Sequence, residues 1–491
     1  MLFNSLEFGW FFLVVTLAYF ALPHRWRYLL LLLASCWFYM AFVPAFLLIL
    51  GFTIVVDYFA GILIEQSAGR RRKFYLLASL AANIGVLVVF KYYNFLNDSL
   101  TAVLGLWSWA NALPTLTMVL PIGLSFHTFQ AMSYTIEVYR GQQQAERHFG
   151  IYALYVMFYP QLVAGPIERP QNVLHQFREP HAFDWQRMVI GLKWMTWGLF
   201  KKVVIADRLA VLVDRVYDHS GGHNALALIA ATVAFAIQIY CDFSGYSDMA
   251  LGAAKVMGFQ LMRNFDRPYF AQSISEFWRR WHISLSTWFR DYVYIPLGGS
   301  QLGRLAVCRN LMITFVISGV WHGARWTYVV WGALNGLLLI YELLTRNMRE
   351  KFAEAIGLTR TPVLRQILRT MTTFSLIGVT WIFFRANSVR DGLRVARRIV
   401  MEWPNCLVRC CTEPLFREEL QELLWNYDMR VAVIAVAVLF IVEFSERRRP
   451  LFISLARRPV WARLAFYYAL LVGILLFGVL ESSKQFIYFQ F

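Results

Sequence analysis

The sequence predicts an all-α polytopic membrane protein, on the basis of its composition and of its long apolar runs. Of the 491 residues, 58% are hydrophobic and 16% are charged, and the mean hydropathy is +0.49. A soluble protein carries about 25% charged residues. Five nearly uncharged runs are about long enough to cross a bilayer, namely 28–43, 74–97, 226–241, 327–341 and 464–480. Because hydrocarbon offers backbone groups no hydrogen-bond partner, these runs are predicted to be helices.

The segment at the beginning of the chain is predicted to be kept as the first membrane helix and not to be cleaved off as a signal peptide. Residues 8–22 have no basic segment before them and no small-residue cleavage site before His24, so they do not resemble a cleavable signal. No Pro/Ser-rich linker or repeat divides the rest. We therefore expect a single integral-membrane domain over residues 1–491. At about 20 residues per span, it would have about eleven to twelve spans plus re-entrant pieces.

The net charge of +17 lies in clusters between apolar runs, which argues against a nucleic-acid partner and for cytoplasmic loops. The clusters comprise Arg25, Arg27, 70–73, Arg346, Arg349, Lys351 and 447–449. Counting spans from these loops predicts that both termini lie on the outer side of the membrane. The same count predicts an outside loop over 386–428, although basic residues flank both ends of the run that precedes it.

The six cysteines restrict the function little. Cys36, Cys241 and Cys308 lie in or beside apolar runs and are expected to be small core residues. Cys406, Cys410 and Cys411 share the predicted outside loop, where a disulfide remains open. No pair of CxxC motifs occurs, so we expect no structural zinc site.

A proline-rich stretch interrupts the apolar pattern in the first half of the chain. "YPQLVAGPIERP", residues 159–170, has three prolines and one glycine, so it cannot be a regular helix throughout. Irregular backbone at membrane depth is tolerated where it is buried in protein or lines a wet cavity. A simple loop and a buried or cavity-lining segment both remain open.

A helical hairpin is predicted around "GVWHGARW". The stretch 305–345 is about twice the length of one span, and basic residues at both ends place both ends on the cytoplasmic side. The chain must therefore turn back, and the glycines between Ser318 and Arg325 allow a sharp turn. His322 then lies at the far end of the hairpin, where the helix breaks.

A second histidine lies in a segment predicted to be one amphipathic helix, "SISEFWRRWHISLSTWFRDYVYIPLGG". On a helical wheel its aromatic and aliphatic residues fall within about 100°, with Arg279 and Arg290 nearly opposite. Such a helix lies in the interface or dips from it. His282 falls at the edge of the apolar arc beside Trp278 and Ser286. A surface helix whose histidine only reaches headgroup level remains the alternative.

Three more ionisable residues fall in apolar segments. Such groups are costly in a membrane and usually pair or line a path. We expect Asp248 to have a structural role, as the partner of a basic side chain. For Asp242 two roles remain open, namely pairing with such a side chain and lining a path through the membrane. His127 is expected to be a hydrogen-bonded core residue.

A buried neutral imidazole can act as a general base towards a hydroxyl. The sequence has no GxxxxGK[ST] phosphate loop, no HExxH zinc motif and no GxSxG nucleophile motif, which leaves ATP-driven pumps, zinc hydrolases and serine esterases unsupported. From the residues alone, two functions remain open: the protein could be an enzyme or a transporter.

Four motifs together resemble the membrane-bound O-acyltransferase (MBOAT) family. They are "FWRRWHISLSTWFRDYVYIPLGG", "GVWHGARWTYVVWGALNG", "LVAGPIERP" and "YCDFSGYSDMA". The resemblance covers essentially the whole chain. It is closest to the bacterial branch that contains the alginate O-acetylation membrane protein and, more distantly, the D-alanyl transfer protein of teichoic acids.

The resemblance implies a ring of helices around a central funnel, with the family's essential histidine at His322 and its second histidine at His282. It also implies a cytoplasmic acyl donor such as acetyl-CoA, used as a substrate, with no permanently bound cofactor and no metal. Candidate donor-binding or funnel-lining residues are Arg279, Arg280, Trp281, Asp242 and Trp321.

The chain carries no soluble catalytic domain with a Gly-Asp-Ser nucleophile, and related bacterial systems hand the acyl group to a separate protein. The resemblance therefore implies a periplasmic or membrane-tethered acetyltransferase as partner and an exported or cell-envelope polysaccharide as acceptor. It places the chain in the bacterial inner membrane, with both termini periplasmic. The alternative function involves no acyl chemistry: the chain would be a transporter or a component of polysaccharide export.

Overall fold

The computed structural model describes residues 1–117, 120–163, 165–445, 455, 458–479 and 486–487. Over these residues the chain forms helices and turns with no strand. The basic residues 447–449, used above to assign a cytoplasmic loop, lie outside the described residues. By contacts the chain divides into two compact units, one of residues 1–195 and 246–262 and one of 196–245 with the described part of 263–487. Whether they act as the single predicted domain stays a prediction.

The described residues of the first half form ten α-helices. They are α1 Leu6–Ala21, α2 His24–Met40, α3 Phe46–Gln66, α4 Gly69–Leu87, α5 Tyr93–Gly105, α6 Leu124–Arg140, α7 Phe149–Met157, α8 Tyr159–Leu162, α9 Pro170–Val173 and α10 Trp185–Phe200. A π-helical turn, Val88–Tyr92, joins α4 to α5 into one continuous helix.

The second half supplies eleven further helices among the described residues. They are α11 Asp207–Tyr217, α12 Ala225–Met257, α13 Ile274–Arg280, α14 Ile283–Phe289, α15 Arg304–His322, α16 Trp326–Ala355, α17 Pro362–Arg385, α18 Val389–Thr412, α19 Pro414–Leu424, α20 Tyr427–Ser445 and α21 Val460–Phe477. Helices α10 and α11 are joined by a π-helical segment, Lys201–Ala206.

The structure confirms the predicted all-helical membrane class. Seven helical stretches among the described residues are long and apolar enough to cross a membrane: α3, α4 with α5, α12, α15, α16, α17 and α21. Over their described residues, the five apolar runs singled out in the sequence correspond mainly to α2, to α4 with the π-helical turn and the start of α5, to α12, to α16 and to α21. The chain is therefore a multi-pass membrane protein. The count of eleven to twelve spans stays a prediction; helices α1, α2 and α6 are shorter than 18 residues and are not among the seven.

The proline-rich stretch is buried protein backbone and not a surface loop. Helix α8 ends at Leu162, and the chain from Gly165 to Arg169 is irregular before α9 begins at Pro170. Glu168 is fully buried there, where its carboxylate accepts hydrogen bonds from the backbone N–H of Met262 and the amide of Asn172. These contacts satisfy the buried carboxylate and tie the irregular segment to its surroundings.

The region 386–428, predicted to connect two spans on the outer side of the membrane, is largely helical. Ser388 caps the N-terminus of α18 by accepting a hydrogen bond from the N–H of Asp391, and α19 follows after Glu413. Cys406, Cys410 and Cys411 lie on α18, and all three have free thiols in the structure. The side of the membrane on which these helices lie stays a prediction.

The predicted hairpin of residues 305–345 is confirmed. Helix α15 ends at His322, α16 begins at Trp326, and the two helices pack along each other. Their backbones touch at two glycines. A Cβ atom on Gly319 would lie 2.2 Å from the carbonyl oxygen of Tyr328, and one on Gly332 would lie 2.3 Å from that of Phe315. Close packing at small residues is a common way for membrane helices to associate.

We predict that Gly332→Ala destabilises the protein, because its methyl group would have to displace the α15 backbone. Overpacking of this kind typically costs about 1–3 kcal/mol. The melting temperature in detergent should fall, and less protein should elute as a single species. Gly473→Ala on α21 is the matched control, because a Cβ atom there meets nothing within 4 Å. Equal melting temperatures for the two variants would contradict the close packing.

Candidate active site around two buried histidines

His322 is held at the break between α15 and α16. Gly323 leaves the helix in an extended conformation, and a Cβ atom at this position would lie 2.2 Å from the ring of Tyr328. The side chain of His322 is 4% exposed. A residue larger than glycine at 323 would therefore push Tyr328 away and open the turn that carries the imidazole.

Aromatic rings surround His322 within the second unit. The ring centroids of Trp321 and Trp331 are both 4.9 Å from that of His322, and the ring of Phe384 on α17 is 5.5 Å away. These rings exclude water on several sides of the imidazole. They leave a low-dielectric surrounding, in which hydrogen bonds and charges act more strongly than in water.

The segment 273–299 is not one amphipathic helix, so the helical-wheel position assigned to His282 was wrong. Helix α13 ends at Arg280, and α14 begins at Ile283. His282 lies in the break with φ 43°, the left-handed conformation that non-glycine residues seldom adopt. A wheel assumes unbroken helical geometry, and no glycine, proline or asparagine marks this break in the sequence.

Asn264 holds the chain at this break. Its carbonyl oxygen accepts a hydrogen bond from the N–H of Ile283 at 2.9 Å, and its side-chain oxygen accepts one from the hydroxyl of Ser284 at 2.6 Å. Asn264 is 1% exposed. These bonds give the left-handed turn a fixed partner, and they offset the roughly 1–2 kcal/mol that such a conformation costs.

The start of α13 is held by a residue of the hairpin. The Glu342 carboxylate on α16 accepts hydrogen bonds from the N–H and the hydroxyl of Ser275 and from the N–H of Ile274, the last at 2.6 Å. An anionic group at a helix N-terminus pairs with otherwise unsatisfied N–H groups. Our sequence analysis missed both Glu342 and Asn264. The signal for Glu342 was a carboxylate at the end of an apolar run.

The structure brings both histidines against one indole ring. His282 is buried, with its ring 4.6 Å from that of Phe243 on α12 and 6.2 Å from that of Trp321. Trp321 is in turn the sequence neighbour of His322. Burial lowers the pKa of the His282 imidazole, because the charged form loses its hydration. His282 is therefore neutral near pH 7.

Trp281 points into an aromatic cluster instead of lying at the surface. It is 1% exposed, stacks on Phe277 at 5.4 Å and lies 5.1 Å from Trp381. Trp381 stacks on Trp331 at 5.9 Å, so the cluster is continuous with the surroundings of His322. Among the described residues, the buried indole N–H groups of Trp331 and Trp381 have no hydrogen-bond partner. Such donors are uncommon in protein interiors.

Asp242 is a structural partner within the described structure. Its carboxylate lies 2.6 Å from the ammonium of Lys202 and accepts a hydrogen bond from the N–H of Ile487 at 2.7 Å. Lys202 also pairs with Asp207 at 2.8 Å, and all three charged groups are buried. Breaking a buried pair costs about 3–5 kcal/mol, so Asp242 anchors α12 to the π-helical segment.

The two arginines on α13 differ in their freedom to contact a ligand. Arg280 forms an ion pair with Glu276 one turn earlier on the same helix. Arg279 is exposed and bonds only within its own helix in the described structure, to the carbonyl and hydroxyl of Ser275.

His127 is a hydrogen-bonded core residue, as predicted. Its Nε2 atom lies 2.6 Å from the hydroxyl oxygen of Thr53, and the ring is 1% exposed. It belongs to the first unit, and its other ring nitrogen, Nδ1, is buried with no hydrogen-bond partner among the described residues.

Comparison with known proteins identifies the family. Residues 147–384 match the model of the MBOAT, membrane-bound O-acyltransferase family, a range that includes both buried histidines. The chain is 39% identical to the Pseudomonas aeruginosa protein named "Probable alginate O-acetylase AlgI", over 80% of this chain and 74% of that protein.

Two other relatives carry different names. The chain is 34% identical to the Helicobacter pylori "Peptidoglycan O-acetyltransferase", over 82% of this chain and 80% of that protein. It is 28% identical to the Streptococcus thermophilus "Teichoic acid D-alanyltransferase", over 54% of this chain and 68% of that protein. The chain belongs to the membrane-bound O-acyltransferase family and is an O-acyltransferase.

Proposed function

We propose that this chain moves an acetyl or related acyl group from a cytoplasmic donor across the inner membrane, for O-acylation of an exported or cell-envelope polysaccharide. The observation that carries the proposal is the pair of buried histidines that share the Trp321 ring. The names of two relatives, an alginate O-acetylase and a peptidoglycan O-acetyltransferase, support a glycan acceptor. Membership of an acyltransferase family favours the enzyme over the transporter alternative.

His322 is our candidate for the general base. A neutral imidazole would accept the proton of an acceptor hydroxyl while the hydroxyl oxygen bonds to the carbonyl carbon of the acyl thioester. The carbon–sulfur bond then breaks, and the leaving thiolate takes up the proton that the imidazolium gives back, which restores the neutral base. Because the rings of Trp321, Trp331 and Phe384 enclose the imidazole, water has little access to compete as acceptor.

Trp331 is our candidate for stabilising negative charge on the reacting carbonyl oxygen. Its ring is 4.9 Å from that of His322, and its buried N–H has no partner among the described residues. A donor that stays unpaired until the substrate arrives is what an oxyanion site requires.

His282 is proposed to position the site and not to react. It contacts the Trp321 ring from a break whose geometry Asn264 determines, so a shift of His282 would move the indole next to His322. Trp281 would help to position the site through the aromatic cluster. Asp242 would do so by anchoring α12.

Arg279 is the better candidate for binding a phosphate-bearing donor such as acetyl-CoA. Guanidinium groups bind phosphates well, and Arg279 is exposed, whereas Arg280 already pairs with Glu276. The donor is a transient substrate and no permanently bound cofactor is proposed. The proposal includes a periplasmic or membrane-tethered acetyltransferase as partner, and periplasmic positions for both termini.

The central test is His322→Gln. Acyl transfer from radiolabelled acetyl-CoA, measured in membranes and expressed per folded molecule, should fall by about 100- to 10,000-fold, the usual contribution of a positioned base. His127→Gln is the matched control, because His127 is equally buried but bonds to Thr53 outside the site. Near-normal transfer by well-folded His322→Gln protein would refute the catalytic role.

Replacing His282 requires a residue that keeps its backbone conformation. Asparagine tolerates φ values near 43° better than alanine does, so His282→Asn removes the imidazole with the least disturbance of the turn. We expect transfer to fall by about 10- to 100-fold, less than for a missing general base. A loss as large as that of His322→Gln, in protein with normal melting temperature, would instead indicate direct participation in the reaction.

Trp331→Phe separates the indole N–H from the packing of the ring. We expect the rate of transfer at saturating donor to fall by about 100-fold, as when an oxyanion donor is removed, with little change in melting temperature. Trp381→Phe also removes an unpaired buried N–H from the same cluster and should have a small effect on the rate. Equal losses in the two variants would show that the cluster acts through packing alone.

A further inference from the structure

A buried carboxyl group without a basic partner lies in the first unit. Asp57 is near the middle of α3, a candidate membrane span, and is 0% exposed. Among the described residues, its carboxyl oxygens form hydrogen bonds only with Ser79 and Asn83, two fully buried residues of α4. Asp242, by comparison, lies against the ammonium of Lys202. Asp57 has no part in the acyl-transfer site described above.

Among the described residues, the helices that pack most extensively on α3 bring no cation to Asp57. These helices are α2, α4, α6 and α7. The basic residues of α2 and α4 lie in their first turns, at 24–27 and 70–73, and Lys91, beyond the end of α4, donates to a hydroxyl group of α6. Arg140, at the end of α6, pairs with a glutamate of its own helix, and α7 has no charged residue.

The titratable side chains that face this part of α3 are neutral. His127 on α6 bonds through Nε2 to Thr53, one turn before Asp57, at 2.6 Å. Its Nδ1 has no partner among the described residues, whereas an imidazolium needs an acceptor for each of its two N–H groups. Tyr134 and Tyr152 are phenols, which are neutral at neutral pH. An ionised Asp57 would therefore be a buried charge without compensation, and such groups become neutral instead.

The hydroxyl groups beside Asp57 form a chain that suits a protonated carboxyl group. The Oγ atom of Ser79 lies 2.6 Å from Oδ1 of Asp57 and 3.1 Å from Oγ1 of Thr135, which donates to the carbonyl of Met132. Each hydroxyl group has one proton. When the carboxyl group is protonated, Ser79 therefore accepts from Asp57 and donates to Thr135. The second carboxyl oxygen, Oδ2, accepts from the amide of Asn83 at 2.9 Å, so each of these polar groups has a partner.

The same contacts do not suit a metal cation. Asn83 turns its NH₂ group towards both carboxyl oxygens of Asp57, at 3.0 and 2.9 Å. This orientation is fixed, because the NH₂ group also donates to the carbonyl of Ser79 at 3.0 Å, and a flipped amide would set two carbonyl oxygens against each other. Hard metal cations are held by oxygen ligands, and an amide NH₂ group repels them. The positive charge that these contacts accommodate is a proton.

From this geometry, we propose that Asp57 is a proton-binding site, and that the bound proton holds α3 to α4 and α6. With the proton in place, one hydrogen-bonded chain joins the three helices, from Asp57 through Ser79 to Thr135. When the proton leaves, the carboxylate becomes a buried charge without a partner, which weakens the packing of the three helices. This role is independent of acyl transfer, because it involves neither histidine of that site.

The first test compares the wild type with Asp57→Asn, whose amide imitates the protonated carboxyl group. The folded state keeps the proton, and the unfolded chain releases it above about pH 4, so the stability of the wild type falls as the pH rises. Relative to Asp57→Asn, the unfolding equilibrium constant in sodium dodecyl sulfate should rise by up to about tenfold per pH unit between about pH 5 and pH 7. Asp184→Asn, at an exposed carboxyl group of the same unit, is the matched control and should show no such trend. A ratio that is constant or falls with pH would contradict proton binding.

Infrared difference spectroscopy, in a detergent without ester groups, observes the proton directly. At neutral pH, the difference between wild type and Asp57→Asn should show the C=O stretch of a protonated carboxylic acid, whereas Asp184→Asn should show carboxylate bands. Ser79→Ala should shift the acid band, because the carboxyl group loses its acceptor, and this variant tests the proposal even if Asp57→Asn folds poorly. Ser35→Ala, at a buried serine that bonds to α2 and α8, should leave the band in place. Carboxylate bands for Asp57, with or without added Na⁺, or an acid band that Ser79→Ala does not move, would overturn the proposal.

Discussion

The close contact between α15 and α16 at Gly319 and Gly332 is the constraint on which the site depends. Only glycine allows the two backbones to approach as they do, and this approach carries His322 to the end of a tight hairpin. A membrane histidine needs such support, because a polar ring in hydrocarbon is costly unless protein surrounds it. The hairpin supplies that surrounding with its own Trp331, and α17 adds Phe384.

The same hairpin also determines where the second histidine lies. Glu342 on α16 holds the N-terminus of α13, and the break after α13 places His282 against Trp321. Helix α16 thus positions both histidines, one through the backbone contact and one through a helix cap. A disturbance of α16 is therefore expected to affect both imidazoles together, although they are 40 positions apart in the numbering.

The sequence was sufficient for the class and for the hairpin, because both depend on long-range composition and on glycine. It failed at the 273–299 segment, where apolar spacing suited one helix and the break at His282 depends on Asn264, a residue outside the segment. The helices within 386–428 were also not predicted, because the charged residues there made the amphipathic pattern of α18 hard to recognise. A basic partner for Asp242 could be suspected from the sequence. That this partner is Lys202 could not be known without the tertiary structure.

In the proposed mechanism, the acyl donor reaches His322 at the end of the hairpin. The most direct measurement is an electron cryomicroscopy structure in lipid nanodiscs with a non-reactive thioether analogue of acetyl-CoA. We expect the carbonyl group of the analogue to lie next to His322, within about 3–4 Å of its ring or one water away. Its oxygen should face the indole N–H of Trp331. An analogue bound elsewhere in the protein, with His322 still enclosed by its aromatic neighbours, would contradict it.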